Sequence, residues 1–440
     1  MLASTPFTIA LRDVLGERFR VHPDECAQFK VDGAAPKLVL SPRTLDEAAR
    51  ALKIVSGEHA TVIVRGAGTK SRRPPPRGDV DAVLDTSELR GVLEHTPGDL
   101  TATVAPGTPL HDLQFALRKH GQFFPSDAPF AATATLGGTL AANANGALRQ
   151  RYGALRDNVL GMRLVLADGT VAFSGAKVVK SVAGYDTHKA FIGSRGTLGV
   201  IGEITLKIAP LPAVQRALIA TFEDCATARA AAGVIAASPL FPLATTMHDS
   251  RSAARVGALR TSGAAVWSLV VRCGGSRAAT AAQFEGAAVL CKEAGASTVR
   301  DVSDELVETV WSQIAELAGG ANYDPEAFVI AKLVSLPAQV HELIAAVRTA
   351  WPEAEMTAHP HAGVLFAGIP VAGATSQPGA LWHACAARGW TAEFLSAPHV
   401  RGEEFIAPLP AGLAMKLQRR LKAALDPAGT LDPGGFVGGI

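Results

Sequence analysis

One stretch of the chain has almost no side chain large enough to build a core. It runs from Ala134 to Gly146 and reads ATLGGTLAANANG. Glycine makes up 43 of the 440 residues, about 10% against a usual ~7%, and the excess is concentrated here and in two similar segments. Such a run either lies as a loop under neighbouring strands or has something flat and bulky lying against it. The residues alone favour the two interpretations equally.

The two other glycine-rich segments lie next to predicted strands. Residues 65–69 (RGAGT) follow the β-branched strand Thr61–Val64, and residues 193–199 (GSRGTLG) precede a strand at Val200–Ile208. Glycine allows positive φ and close approach of the backbone to a ligand, and successive N–H groups can cradle phosphate oxygens. The segment at residues 65–69 is not a GxGxxG or GxxxxGK[ST] motif, so taken alone it is better interpreted as a turn.

Composition excludes several classes of protein. Lys plus Arg is 42 and Asp plus Glu is 40, which predicts no basic face and no nucleic-acid partner. The five cysteines are scattered without a CxxC pair, which argues against a disulfide framework, a zinc site or an iron–sulfur cluster. Residues 1–20 contain no signal-type apolar block, and the uncharged stretches at 128–148 and 362–387 are too polar for membrane spans. We expect a soluble, cytoplasmic protein without a transmembrane segment.

The order of predicted elements indicates an α+β protein of two or three domains. Thr44 begins a capping box before a helix, and Thr108-Pro109 is expected to open another as N-cap and first helical residue. After Pro210-Leu211-Pro212 the pattern changes to a repeated strand–helix–strand rhythm. Two such ferredoxin-like units would form one wide sheet backed by helices.

Taken together and in this order, the three glycine-rich segments resemble the FAD-binding domain of the vanillyl-alcohol oxidase (p-cresol methylhydroxylase) family. The resemblance covers about residues 35–212 and implies a two-subdomain FAD-binding PCMH-type domain there, after an N-terminal helical segment at 1–34. A ferredoxin-like cap or substrate domain would follow at 213–413. A C-terminal tail at 414–440 would pack back on the FAD domain.

The resemblance also implies the cofactor contacts. In the family the first loop holds the FAD pyrophosphate, the second segment lies along the pyrophosphate and isoalloxazine, and the third contacts the adenine end. Because Gly68-Thr69 stands where some members attach the flavin to a histidine, non-covalent FAD is implied. Carried over, the contacts are Arg65, Gly66, Ala67, Gly68, Thr69, Ser126, Asp127, Thr135, Gly137, Gly138, Asn143, Gly146, Gly196, Thr197, Gly199, Val200 and Ile201.

Three further segments are similar to the FAD-binding subunits of bacterial glycolate oxidases: 151–161 (RYGALRDNVLG), 178–186 (VVKSVAGYD) and 417–429. Relatives usually carry asparagine where Ser181 stands, and N-P-G-R or N-P-G-K at residues 432–435. The resemblance implies hydride transfer from C2 of a 2-hydroxy acid to flavin. The electrons would pass to an iron–sulfur subunit beside a catalytic paralogue, in a complex that could lie peripherally at the inner membrane.

No catalytic residue and no metal ligand is assigned from the sequence. Catalytic relatives use a G-H-x-G-D-G-N-x-H motif and a later E-H-G to hold a divalent metal, and this chain has neither. His359 and His361 would share one face of a strand, but polar strand histidines are the better interpretation, as for the isolated His248, His383 and His399. The substrate carboxylate still needs a fixed positive charge, for which Arg388 and Arg401 are candidates. The C-terminal basic helix, with Lys416, Arg419, Arg420 and Lys422, is expected to present a solvated face.

Two alternatives stay open at this point. One is a stand-alone FAD-dependent dehydrogenase of another alcohol or acid, and the other is a non-catalytic flavin-bearing subunit. Because the metal motif is absent, the sequence predicts little or no glycolate oxidation by the isolated chain.

Overall fold

The computed structural model describes residues 5–71, 80–178, 184–260, 267–371, 379–397 and 413–436. Up to residue 210 these residues form two main sheets. A four-stranded sheet has the order β1-β2-β4-β3, and a five-stranded antiparallel sheet has the order β5-β6-β10-β8-β9. The strands are β1 Phe19–Arg20, β2 Pro36–Leu40, β3 Val62–Arg65, β4 Val80–Asp85, β5 Val92–Thr96, β6 Thr101–Val104, β7 Gln122–Phe123, β8 Val159–Val165, β9 Val171–Gly175, β10 Val200–Lys207 and β11 Ala209–Pro210.

Helices pack on these sheets and form part of the connections between the strands. They are α1 Pro6–Leu15, α2 Pro23–Cys26, α3 Leu45–Gly57, α4 Leu110–Arg118, α5 Leu136–Ala141 and α6 Arg149–Tyr152. Two details differ from the expected caps. The Thr44 hydroxyl accepts from the Glu47 N–H as predicted, but the Glu47 carboxylate pairs with Arg18. Helix α4 begins at Leu110 with Pro109 as its N-cap, and the Thr108 hydroxyl accepts instead from the Gly91 N–H.

From residue 214 the chain forms one antiparallel sheet with the strand order β15-β12-β14-β13-β17-β18-β16-β19. Each half has the 4-1-3-2 strand order of a ferredoxin-like unit, and β13 pairs with β17 where the halves meet. The predicted α+β class with a ferredoxin-like second part is confirmed. The strands are β12 Val214–Phe222, β13 Ala244–Asp249, β14 Trp267–Gly275, β15 Thr298–Val302, β16 Phe328–Val334, β17 Glu355–His359, β18 Val364–Pro370 and β19 Thr391–Ser396.

The two faces of this sheet differ. One face is apolar and forms a large buried core with the helices α7 Cys225–Ala237, α9 Arg277–Glu293, α11 Val340–Ala350 and α12 Gly379–Arg388. The other face is covered by α8 Ser250–Ala254, α10 Asp304–Gly319 and residues of the first part, including Ala147, Leu148 and Tyr152. Among the described helices, none combines the length and apolar character needed to cross a membrane.

Helix α10 was missed by sequence analysis and holds the two parts together. Its Trp311 indole N–H donates to Asp127 at 3.0 Å. The Glu316 carboxylate accepts from the backbone N–H groups of Phe130 and Ala131 at 2.8 and 3.2 Å. Two side chains of α10 therefore hold the loop at residues 127–131 in place.

The C-terminal residues contact the first part of the chain. Helix α13 spans Leu413–Leu425, and its Lys422 is 6% exposed, so the expected solvated position is wrong. The ammonium donates to the Thr197 and Leu431 carbonyls and to the Asp426 carboxylate at 2.6–2.8 Å. Leu431 then forms a parallel bridge with Val62, next to the first glycine loop.

Candidate functional site

A cleft of about 1230 Å³ lies between the glycine loops and the polar face of the eight-stranded sheet. One wall carries Arg65, Ala67, Gly68, Thr69, Asp127 and Gly146 of the predicted cofactor contacts. A narrower extension of about 80 Å³ adds Gly66, Thr135 and Gly138. Small-molecule sites are typically ~300–1,000 Å³, so this cleft has room for a large cofactor with a substrate beside it.

The first loop is closed by its own arginine. The Arg65 guanidinium donates to the carbonyls of Gly66 and Ala67 at 3.2 and 3.4 Å. Gly68 has φ +72°, and a Cβ there would lie within 3 Å of that guanidinium. Burial lowers the pKa of Arg65, and its Nε has no hydrogen-bond partner among the described residues.

The first loop packs directly on the start of the short helix α5. Thr135 is the N-cap, and its hydroxyl accepts from the Gly138 N–H at 3.2 Å. A Cβ at Gly66 would lie 2.3 Å from this hydroxyl, so only glycine fits there. The contact brings the first and second glycine segments together along one wall.

The Asp127 carboxylate links its own segment to two others by hydrogen bonds. Its carboxylate accepts from the Leu148 N–H and the Trp311 indole, both at 3.0 Å, and burial raises its pKa. A Cβ at Gly146 would lie 2.0 Å from this carboxylate, which explains that glycine. The adjacent Ser126 hydroxyl is buried without a partner among the described residues.

The other predicted contacts do not line the cleft. Gly137 packs on Pro106, and a Cβ at Gly196 (φ +84°) would lie 2.8 Å from Val64. Asn143 has φ +48°, and its amide oxygen accepts from Asn145. The remaining four, Thr197, Gly199, Val200 and Ile201, are buried at or in the start of β10. At these positions the small residues serve close packing of the chain on itself.

The opposite wall carries basic and polar side chains that sequence analysis did not select. Lys332 on β16 and His359 on β17 both line the cleft, and Arg149 of α6 lies close to both. Within the described part of the chain, none of these three side chains makes a hydrogen bond or an ion pair. His359 is 4% exposed, with its ring packed edge-on against Phe366. The group is therefore a cluster of polar side chains without partners at the cleft.

The pKa values of this cluster reflect burial and mutual repulsion. Burial, together with Arg149 and Arg195, lowers the pKa of the Lys332 ammonium to about 8. Burial, together with Arg149 and Lys332, lowers the pKa of His359 to about 3, so the imidazole is neutral at pH 7. Repulsion between like charges is relieved when an anion binds among them. The cluster therefore favours a bound anion.

Two further cations line the cleft nearby. Arg195, in the third glycine segment, pairs with Glu393 of β19 and links the two walls. Lys70 lies over the Phe130 ring at 5.5 Å, and burial lowers the pKa of its ammonium to about 8. Both follow or lie within a glycine segment, which was the available sequence signal.

The other sequence candidates lie elsewhere. Strand β17 ends at His359, so His361 falls in the following turn and bonds the Ala232 carbonyl; the expected shared face is wrong. Arg388 pairs with Glu342 at 3.7 Å and does not line the cleft. Within the described ranges, no group of three or more His, Cys, Asp or Glu side chains could hold a metal ion. Ser181, His399 and Arg401 lie outside the described residues.

The loop wall fits FAD on the structure itself. The buried Arg65 Nε on this wall has no hydrogen-bond partner among the described residues. The ammonium of Lys70, which also lines the cleft, offers positive charge to a phosphate group.

Comparisons with known proteins agree with this assignment. A family model described as FAD binding domain matches residues 36–174. The chain is 32% identical over 296 residues to glycolate oxidase subunit GlcD of Bacillus subtilis, covering 64% of this chain and 62% of that protein. It is 35% identical over 158 residues to glycolate oxidase subunit GlcE of Escherichia coli, covering 36% of this chain and 45% of that protein.

The fold extends the likeness over the whole chain. A crystal structure of p-cresol methylhydroxylase with substrate bound gives a TM-score of 0.74, covering 98% of this chain and 96% of that one at 17% identity. The sequence alignments span less than two thirds of either curated relative.

Proposed function

Starting from the FAD binding domain at residues 36–174, we propose that the chain is the FAD-binding subunit of a glycolate (2-hydroxy-acid) oxidase or dehydrogenase complex. The observation that carries this proposal is the unpartnered cationic pair Lys332 and Arg149 beside neutral His359. A carboxylate needs fixed positive charge to be oriented for reaction, and this pair supplies it within the chain.

The two walls of the cleft have separate tasks. The loop wall, with residues 65–70 and the start of α5, would hold the cofactor, and the absence of a histidine at Thr69 makes the binding non-covalent. FAD, when bound, supplies a two-electron hydride acceptor. The sheet wall would bind the substrate carboxylate through Lys332 and Arg149 and present the alcohol carbon to the loop wall.

Partners are part of the proposal. Two relatives of this chain are named as different subunits, GlcD and GlcE, of glycolate oxidases, which supports a catalytic paralogue as partner. The scattered cysteines support electron transfer to a separate iron–sulfur subunit. Such a complex would be cytoplasmic, with peripheral association at the inner membrane.

The cationic cluster changes the expectation for the isolated chain. The sequence lacks the metal-binding motif and offers only Arg388 and Arg401 as candidates for the positive charge, and it therefore predicts little glycolate oxidation without partners. With Lys332 in the cleft and Arg149 close to it, we expect the isolated holoprotein to undergo one round of flavin reduction. Continuous turnover would still need an electron-accepting partner.

The test is anaerobic mixing of the purified holoprotein with glycolate, D-lactate, L-lactate and 1,2-propanediol, which lacks the carboxylate. Loss of the oxidised-flavin absorbance near 450 nm with an acid but not with the diol supports the proposal. Reduction by the diol would favour a dehydrogenase of another alcohol. Reduction by dithionite alone would indicate a non-catalytic flavin-bearing subunit.

A further inference from the structure

Strand β16 presents a cation and two apolar side chains to the cleft, in that order along one face. Because side chains alternate along a strand, Lys332, Ile330 and Phe328 point to the same side of the sheet, and all three line the cleft. At about 3.3 Å per residue, Ile330 lies about 7 Å and Phe328 about 13 Å from Lys332 along the strand. The lining of the cleft therefore changes from cationic to apolar toward Phe328.

Neighbouring residues widen the apolar part of this lining. Phe366 of β18 pairs directly with Lys332 and lines the cleft beside it. Tyr323, which follows helix α10, lines the cleft next to Phe328, and the centroids of the two rings are 5.0 Å apart. We call the surface formed by Tyr323, Phe328, Ile330 and Phe366 the apolar wall.

Two glycines allow the apolar wall to pack closely on the backbone. A Cβ at Gly368 would lie 2.5 Å from the Tyr323 ring. A Cβ at Gly320, which has φ +82°, would lie 2.6 Å from the Ile330 side chain. The positions of Tyr323 and Ile330 in the cleft therefore depend on glycine at both sites.

Helix α10 contributes small residues to the same cleft. Ala315, Ala318 and Gly319 line it, and Ala318 lies in one buried cluster with Phe366. Small side chains at these positions leave space beside the apolar wall. Apolar surface that faces a cleft is removed from water when an apolar group covers it, which is favourable. The apolar wall therefore favours a ligand that carries an apolar group.

Two charged groups beside the apolar wall disfavour a second carboxylate on such a ligand. The Arg255 guanidinium lies over the Tyr323 and Phe328 rings at 4.1 and 4.7 Å, but it is paired with the Glu355 carboxylate. Glu326, two residues before Phe328, is exposed and lines the cleft. An anionic group at this end of the ligand would be repelled by the Glu326 carboxylate.

We propose that the substrate is a 2-hydroxy acid whose C2 carries an extended apolar substituent, alkyl or arylalkyl, that lies along β16. The inference rests on the proposed function and narrows its substrate class. With the carboxylate at Lys332, the substituent would cover Ile330 and extend toward the Phe328 and Tyr323 rings. Glycolate has no carbon substituent at C2 and would leave the apolar wall uncovered.

The first test measures binding without any reaction. The holoprotein is titrated with acetate, pentanoate, 3-phenylpropionate and glutarate, and the oxidised-flavin absorption spectrum is followed. Each buried methylene should raise the affinity about fourfold, so pentanoate should bind on the order of 50-fold more tightly than acetate. Glutarate has the same chain length as pentanoate but a second carboxylate, so it should bind more weakly than pentanoate.

A substitution at the far end of the apolar wall should separate the apolar group from the carboxylate. Phe328→Ser should weaken the binding of 3-phenylpropionate about 10-fold and leave that of acetate unchanged. Phe241→Ser is the matched control, because Phe241 also lies beneath an arginine, Arg151 at 5.5 Å, but is exposed and does not line the cleft. Both affinities of the control should equal those of the wild type. The wild-type series decides the question even if the Phe328 variant does not fold.

The second test measures anaerobic flavin reduction. Both enantiomers of 2-hydroxypentanoate and 3-phenyllactate are compared with glycolate and 2-hydroxyglutarate. The second-order rate constant for the preferred enantiomer of 2-hydroxypentanoate should exceed that for glycolate on the order of 50-fold, since the same three methylenes are buried. The rate constant for 2-hydroxyglutarate should be lower than that for 2-hydroxypentanoate.

Several results would overturn the proposal. Equal affinities of acetate and pentanoate, or wild-type binding of 3-phenylpropionate by folded Phe328→Ser, refute the apolar wall as the substituent site. Flavin reduction as fast by glycolate as by 2-hydroxypentanoate, or faster by 2-hydroxyglutarate, refutes the substrate class and leaves the proposed function intact. If no 2-hydroxy acid reduces the flavin, the proposed function is wrong and this inference with it.

Discussion

Replacing Lys332 by methionine should weaken anion binding in the cleft without loss of the fold. The side chain is half-buried and makes no hydrogen bond or ion pair within the described residues, so its removal leaves no partner unsatisfied. A hydrogen bond to a charged group contributes about 1.5–3 kcal/mol. At about 1.4 kcal/mol per tenfold change, the dissociation constant of oxalate should rise by about 10- to 150-fold.

The pH dependence of the oxalate affinity tests this prediction independently. Because the pKa of Lys332 in the free protein is lowered to about 8, the ammonium form dominates below pH 8 and the neutral amine above it. Oxalate affinity of the wild type should therefore be constant from pH 6 to 7 and fall as the pH rises through 8. The variant has no ammonium at residue 332 to lose, so its weaker affinity should fall less than that of the wild type over this range.

Titration of the oxidised-flavin absorption spectrum with oxalate measures both effects. Arg388→Met is the matched control, since Arg388 lies in the same part of the chain but is paired with Glu342 and does not line the cleft. Wild-type affinity in Lys332→Met, or the same loss of affinity above pH 8 in both proteins, would refute the placement of the carboxylate at Lys332.

The remaining predictions concern the cofactor and the C-terminal residues. Acid precipitation should release all the FAD, because Thr69 offers no histidine linkage; flavin absorbance in the washed pellet would contradict this. Gly138→Val should give folded but flavin-poor protein, since even a Cβ would lie 3.0 Å from the Thr135 hydroxyl that caps α5; a full flavin-to-protein ratio would show that this segment does not face the cofactor. Lys422→Met should reduce the free energy of unfolding in urea by about 3–5 kcal/mol, because it leaves the Asp426 carboxylate buried without its cation; a midpoint unchanged from the wild type would show that the pair is not stabilising.

Local patterns predicted much of the fold. The strand at Phe328–Val334 and the alternation of strands and Ala-rich helices after residue 212 follow from hydrophobic periodicity. Helix α10 also has a helical apolar spacing, at Val307, Val310 and Ile314, but was overlooked because it interrupts the repeat. The edge strand Thr298–Val302 is largely exposed and lacks an apolar run, so periodicity gives no signal for it.

The site was predicted only in part, because its two walls come from distant segments. The glycines at 66, 68 and 138 indicate a close approach of the backbone to a ligand, and all three line the cleft or its narrower extension. The strand FVIAKLV is apolar except for Lys332, and a single charged residue in such a strand is unusual. That Lys332 would meet Arg149 across about 180 residues depends on how the sheet packs on α6, which no local pattern encodes.

The pairing of β13 with β17 gives the eight-stranded sheet an approximate twofold symmetry, with the axis between His248 and Thr357. By that symmetry Thr221 is the counterpart of Lys332, and Thr298 is the counterpart of Glu393. The chain thus has the same architecture twice, and in this row of paired positions only the second copy carries charge, the copy whose strands line the cleft. Substitutions at Thr221 or Thr298 in the first copy would leave the lining of the cleft unchanged, whereas a change of substrate requires substitutions in the second copy.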